Sequence, residues 1–343
     1  MTDADRPLEW VDEADGVFKG GGVKGLALAG ALAGCAEHPT KPIRRWKSVA
    51  GASAGAIIAG YLAIGKDAND MLAAIGNIPY PKLQDFPYGQ KVLGIAELIA
   101  GSHGMAKGDA FLTWFDRELG GATFEHLSDG DGDFRLRMIA VDTTKHRLLV
   151  LPKDLADYRE PGAAANIDPA RFSVAHAARM SMSIPYFFEP VKLVHVDPKT
   201  GQTTDCEIVD GGTLSNFPVW LFDVDPRTAG RPPTRPTIGF NLTGGRGVGG
   251  GIRSVVSHLP WVVRFGVSIF DTAEEAWDER FASHSTRTRT IAVDADGVGT
   301  TDFTLSQEQR DLLIANGREA AKRFLDDFDL AAYENTYHVG VSA

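Results

Sequence analysis

Gly51-Ala52-Ser53-Ala54-Gly55 fits the pattern G-x-S-x-G. The pattern has a geometric reason. A serine on a sharp strand-to-helix turn exposes its Oγ, and flanking glycines remove side chains that would block it. The same turn sets the serine at a helix N-terminus, where developing negative charge is favoured. In a chain with 38 glycines the pattern alone is weak. Its flanks strengthen it: WKSVA before it reads as a strand, and AIIAGYLAIG after it as an apolar helix. Ser53 is therefore the candidate nucleophile of an acyl-transfer reaction.

Gly20-Gly21-Gly22-Val23-Lys24-Gly25 is a second such junction, joining the strand-like DGVF at 15–18 to LALAGALAGCAEH. Consecutive glycines there can present bare backbone N–H groups to an anion. Three readings compete. Gly20, Gly22 and Gly25 satisfy the dinucleotide fingerprint G-x-G-x-x-G, which would make the chain a nucleotide-binding regulatory module. That fingerprint wants an acidic residue at the end of the next strand, and here the strand runs into SVAGASAG. A P-loop wants Gly-Lys-Ser/Thr, whereas Lys24 precedes Gly25 and Leu26 follows. An oxyanion hole needs only N–H groups near the nucleophile, and two parallel neighbouring strands would bring both turns to one sheet edge. Lys24 either adds positive charge for a phosphate headgroup or the oxyanion, or is an ordinary solvated lysine.

Asp210-Gly211-Gly212 follows the strand-like CEIV. A carboxylate at a strand end, followed by two permissive glycines, can approach another loop closely. Taken alone, Asp-Gly is a common turn pair.

Taken in order, GGGVKG at 20–25, GASAG at 51–55 and DGG at 210–212 resemble the patatin-like phospholipase family, bacterial type. ARMSMSIPYFFEP at 178–190 and DGGTLSNFPV at 210–219 also look like the family, and the tail TDFTLSQEQRDLLIANGREAAKRFL is similar to the ends of bacterial members. The resemblance implies a catalytic dyad, with Ser53 as nucleophile and Asp210 as proton acceptor. It implies an oxyanion hole from the backbone of Gly20, Gly21 and Gly22, with Lys24, Gly25, Gly51, Gly55, Gly211 and Gly212 as supporting motif positions. The activity implied is metal-independent and cofactor-free hydrolysis of phospholipid or lysophospholipid esters. The motifs themselves specify only acyl transfer, so an esterase on a small ester or an acyltransferase using an alcohol stays open. A histidine triad would draw on His258 or His338, but Ser53 comes too early for the strands that normally precede that elbow.

The elements that must position these residues alternate strand and helix, which predicts an α/β fold with a central, mostly parallel sheet flanked by helices. The family implies a three-layer sandwich. Residues 66–130 read as a helical insertion or partly helical cap, broken by Pro79, Pro81 and Pro87. FRLRMIAVD at 134–142 and RLLVL at 147–151 read as paired strands, 170–182 as a helix ended by Pro185, and KLVHV and CEIVD as strands joined by a turn. TIGFNL at 237–242 is a further strand, 244–251 a glycine-rich loop, and 252–281 and 306–328 are helices. Residues 14–220 are expected to form the catalytic domain, with 221–343 completing the same domain.

Composition sets the remaining bounds. A net charge of −10 argues against a generic nucleic-acid binder and against purely electrostatic attraction to anionic membranes. Peripheral membrane contact would have to be apolar, and the stretch 252–270 could line an acyl tunnel, touch a bilayer or form a core helix. The acidic N-terminus lacks an apolar signal segment, and no stretch suits a transmembrane helix. A cytoplasmic protein is the default, with signal-less export left open. Cys35 and Cys206 read as buried free thiols. Asp129, Asp131 and Asp133 depart from a calcium loop where Phe134 and Ala140 stand, and read as an acidic turn. Lipid or phospholipid is the expected partner; whether a partner or ligand activates the site is not encoded in any motif.

Overall fold

The computed structural model describes residues 12–79, 83, 85, 103–128, 134–223, 235–244, 288–298 and 305–333. Among them the strands are β1 (Glu13–Phe18), β2 (Arg45–Ala52), β3 (Gly104–Ala106), β4 (Leu136–Asp142), β5 (Arg147–Leu151), β6 (Tyr158–Arg159), β7 (Tyr186–Phe188), β8 (Val191–Val196), β9 (Thr203–Asp210), β10 (Thr237–Thr243) and β11 (Thr290–Asp294). The helices are α1 (Gly25–Glu37), α2 (Ala54–Ala63), α3 (Ala68–Gly76), α4 (Asp109–Glu118), α5 (Val174–Ser181) and α6 (Gln307–Asp327).

Nine strands form one sheet in the order β11-β10-β1-β2-β4-β9-β8-β6, with β5 on β4, while β3 and β7 pair apart from it. From β11 to β4 every pairing is parallel; β9, β8, β6 and β5 add antiparallel strands. The expected α/β class with a mostly parallel sheet is met. The last five residues of β1 are all buried, as a strand covered on both faces requires. α1 and α2 are buried around almost their whole circumference, which explains why their sequences carry no polar stripe.

α6 packs across α1 at unusually short range. A side chain at Gly30 or Gly34 would run into the backbone of Ile314 or Arg318, and one at Gly317 into Ala27. Both ends of α6 are sealed. Ser306 Oγ accepts from Gln309 N at 3.2 Å while Gln309 Oε1 accepts from Ser306 N at 3.0 Å, a capping box. At the other end, Lys41 Nζ donates to the carbonyls of Leu325 and Phe328, each at 2.8 Å.

One detail of the sheet controls the site. β5 runs along one edge of β4 over Met138–Asp142. The opposite edge is shared. β2 pairs in parallel with Leu136–Ile139 and ends with Ala52 beside Ile139. β9 arrives from the other direction, antiparallel, and ends with Asp210 beside Ala140. Two strands thus meet head-on against consecutive residues of β4.

Strand and helix boundaries agree with expectation to within a few residues through most of the chain. Four elements were not anticipated: β3, β6, β7 and β11. α3 lies inside the expected helical insertion and is fixed by its own capping box, Asp67 with Asp70. Most of residues 80–102, including Pro81 and Pro87, lie outside the described residues. So do Asp129, Asp131 and Asp133, the loop beyond Gly244, the helix expected at 252–281 with its apolar stretch, and His258 and His338. Among the described residues no helix is long and apolar enough to cross a membrane. Cys35 and Cys206 are free and buried, as expected.

The α1–α6 crossing has no room for a side chain. Gly317→Leu is expected to lower unfolding free energy by about 2 kcal/mol or more, read as a reduced urea midpoint, because overpacking here displaces backbone.

Candidate active site

Ser53 stands between the end of β2 and the start of α2 with φ 53° and ψ −127°, a conformation that strains a residue bearing a Cβ. Two glycines make the turn this tight. A Cβ on Gly51 would collide with the backbone of Gly55, and one on Gly55 with the carbonyl of Phe18 at the end of β1. Ser53 is buried to 8% exposure. Its N–H donates to Ser181 Oγ at 3.1 Å, and that hydroxyl donates onward to the carbonyl of Ile139 at 2.7 Å.

β1 and β2 are parallel neighbours, with Phe18 level with Gly51, so the glycine run lies beside this elbow. A Cβ built on Gly20 would stand 3.0 Å from Ser53 Cβ and collide with Asn216 Oδ1. The three glycines differ in what their amides do. Gly20 N donates to the Asn216 carbonyl at 3.1 Å, so its N–H is occupied, and what Gly20 supplies is room. The amides of Gly21 and Gly22 donate to no acceptor among the described residues, and Gly22 holds φ 56°. The N–H of Ala54, at the first turn of α2, is likewise without an acceptor there. Lys24 is not a solvated lysine. It is 4% exposed, and its Nζ reaches the Gly244 carbonyl at 3.5 Å.

Asp210 is 1% exposed at the end of β9. Its Oδ1 accepts from Gly212 N at 2.7 Å. Oδ2 has no hydrogen-bond partner among the described residues; the Ser53 hydroxyl stands close enough to favour the ionised carboxyl without closing a short bond. Burial dominates. It pushes the Asp210 carboxyl up to about 7, against the smaller opposing pulls of the Gly212 amide and the Ser53 hydroxyl, and no charged side chain contributes. Gly211 is needed because a Cβ there would run into the Ile139 carbonyl.

Several contributing residues carry no motif chemistry of their own. Asn216 holds Gly20 from both sides, its carbonyl accepting from Gly20 N and its Nδ2 donating to Gly20 O at 3.5 Å. Ser183 O accepts from Asp210 N at 2.9 Å. Ser183 Oγ accepts from Arg179 Nη1 and donates to Arg179 O at 2.8 Å. The buried Arg179 guanidinium also donates to the carbonyls of Lys107 and Glu189 and lies over the Phe188 ring. Burial lowers its pKa to about 10, which leaves it cationic at neutral pH. The sequence signal for them was the two family-like stretches, 178–190 with Arg179 and Ser183 and 210–219 with Asn216, which did not say what each residue does. Among the described residues, no cluster of three His, Cys, Asp or Glu side chains is placed to hold a metal ion.

Of the predicted site residues, Ser53, Asp210 and the glycine run come together; Gly51, Gly55 and Gly211 lie where backbones approach, Gly212 gives its amide to Asp210, and Gly25 begins α1 with only ordinary side-chain contacts around it. The site is a serine elbow, a buried carboxyl and unoccupied amides at one sheet edge. The patatin-like phospholipase model matches residues 16–223. The uncharacterized protein YqhO of Bacillus subtilis (strain 168) is 38% identical over 316 residues, covering 91% of this chain and 97% of that one. Among solved structures, VipD from Legionella pneumophila aligns with a TM-score of 0.49 at 17% identity, over 96% of this chain and 72% of VipD. ExoU from the type III secretion system of Pseudomonas aeruginosa, solved with SpcU, aligns with a TM-score of 0.43 at 16% identity, over 93% of this chain and 53% of that one. The chain belongs to the patatin-like phospholipase family, and it is a lipid hydrolase.

A carboxyl whose pKa is raised on folding costs stability as pH climbs from its ordinary value towards about 7. Asparagine can keep the Gly212 contact and cannot ionise. Asp210→Asn is therefore expected to raise the melting temperature at pH 8 by several degrees. The gain should shrink at pH 5 and vanish near pH 4, as followed by thermal scans across pH.

Proposed function

We propose that the protein hydrolyses carboxylic esters of phospholipids or lysophospholipids by a Ser53–Asp210 dyad, without a metal ion. The observation that carries this reading is the meeting of the Ser53 elbow with a fully buried carboxyl whose pKa sits near neutrality. An ordinary aspartate is too weak a base to draw a proton from serine at useful rates; one raised to about 7 is much better matched to the task.

In the first half-reaction Asp210 takes the Ser53 proton as Oγ bonds to the ester carbonyl carbon. Negative charge builds on the carbonyl oxygen, and the amides of Gly21, Gly22 and Ala54 are the donors available to it. The C–O bond to the alcohol then breaks, protonated Asp210 gives its proton to the departing oxygen, and acyl-Ser53 remains. In the second half-reaction Asp210 draws a proton from water as the water oxygen attacks the acyl carbon. The intermediate collapses, the proton returns to Ser53 Oγ, and the fatty acid leaves. The contact between the Ser53 hydroxyl and Asp210 is expected to tighten once substrate is bound.

Incubation with mixed phospholipids and lysophospholipids, followed by mass spectrometry of the products, tests the reading. Ser53→Ala should remove fatty-acid release, and Asp210→Asn should cut kcat by about a thousandfold or more. In the wild type, kcat/KM should rise with pH through a midpoint near 7, as Asp210 loses its proton. Wild-type hydrolysis by Ser53→Ala would sink the proposal.

A further inference from the structure

The head-on meeting of β2 and β9 leaves a problem that ordinary sheet pairing does not solve. At the junction the partner of β4 changes from Ala52 of β2, opposite Ile139, to Asp210 of β9, opposite Ala140. The Ser53 amide and the Ile139 carbonyl are buried polar groups at this change of partner. The Ser181 hydroxyl joins them, accepting from Ser53 N at 3.1 Å and donating to Ile139 O at 2.7 Å. Ser181 is itself fully buried. Only a group that is both donor and acceptor can join an amide to a carbonyl in this way.

Two residues further on, the same segment takes hold of the other strand: Ser183 O accepts from Asp210 N at 2.9 Å. Ser183 is in turn fixed by Arg179, through its hydroxyl on both the guanidinium and the Arg179 carbonyl. One short stretch at the end of α5 thus grips the backbone of Ser53 with one residue and that of Asp210 with another. The distance between the two functional groups follows from this stretch as much as from β4.

We propose that Ser181 is a positioning residue for the reaction, and that residues 181–183 form a strut setting the separation of the Ser53 hydroxyl and the Asp210 carboxyl. This rests on the dyad reading given above. Ser181 touches no reacting atom; it acts through the amide of the strained Ser53. Misplacing a nucleophile by about 1 Å costs on the order of a hundredfold in rate, so the loss should appear in kcat and leave substrate affinity alone.

The test compares wild type with Ser181→Ala, Ser181→Thr and Ser181→Cys, and with Ser53→Ala as control. The readouts are hydrolysis of a short-chain p-nitrophenyl ester, the rate of labelling by a fluorophosphonate probe, and the melting temperature. Ser181→Ala should lower kcat by about 30- to 100-fold with KM changed less than about threefold, and labelling should slow in parallel. Threonine keeps the bridging hydroxyl and should restore kcat to within about fivefold of wild type, while cysteine, a weak donor, should fall between. The acid limb of the pH–rate profile should move to higher pH in Ser181→Ala, since a displaced Ser53 hydroxyl no longer helps to hold the Asp210 charge. If Ser181→Ala does not fold, the cysteine and threonine variants decide, cysteine being slower than threonine at equal melting temperature. Full kcat and an unmoved pH profile in folded Ser181→Ala, or cysteine as fast as threonine, would overturn the strut while leaving the dyad intact. Wild-type turnover in Ser53→Ala would instead overturn the dyad, and the strut with it.

Discussion

One edge of β4 has to serve two strands, and the rest of the site follows from that constraint. β2 and β9 run towards each other along the edge and stop at Ile139 and Ala140. Ser53, the residue after β2, and Asp210, the last of β9, are thereby brought side by side. No long loop has to fold back to bring them together. The cost of the arrangement is crowding. Backbones converge where side chains would normally separate them, which is why Gly51, Gly55 and Gly211 each lie against another main chain. A larger residue at any of them would push these backbones apart.

Crowding also sets the electrostatics. Asp210 is buried, and the amide of Gly212 is the one short hydrogen bond its carboxyl makes among the described residues. With so little compensation, burial dominates and the carboxyl resists ionisation. Arg179, a few residues before the strut, shows the opposite solution. It too is buried, but main-chain carbonyls and the Ser183 hydroxyl take its N–H groups, and the carboxylates of Asp85, Asp109 and Glu189 offset the burial, so it keeps its charge. A satisfied cation holds the frame, and an under-satisfied acid stands beside the Ser53 elbow.

Much of this was legible in the sequence, because local signals coincide with the fold. The two glycine-bearing turns sit between an apolar strand and an apolar helix, and parallel pairing of β1 with β2 follows directly. Asp210 is different. Asp-Gly-Gly reads as a turn, and its significance depends on β9 pairing with β4 across more than 60 residues of intervening chain. That pairing leaves no local trace. β11 was missed because TIAVD is a short edge segment behind a polar run, with every second residue exposed. The burial of Lys24 could not be read because an amphipathic side chain is hidden only by its neighbours. The role of Gly20 was also hidden: a glycine supplying an amide and a glycine supplying space look the same in a sequence. Ser181 was invisible for a similar reason, since a serine in a helix gives no sign of which two backbones it will join.

The position of β1 has a further consequence. It carries the glycine run, and it lies between β2, which follows it closely, and β10, which is made more than 200 residues later. α1, directly after that run, is roofed by α6, which comes later still. A growing chain therefore exposes one side of β1 until β10 has been made, and such distant pairings form late and slowly. The elbow can exist early, but its neighbouring amides gain their final support last. A nascent polypeptide of this kind would carry the Ser53 elbow before the frame around its glycine run is complete.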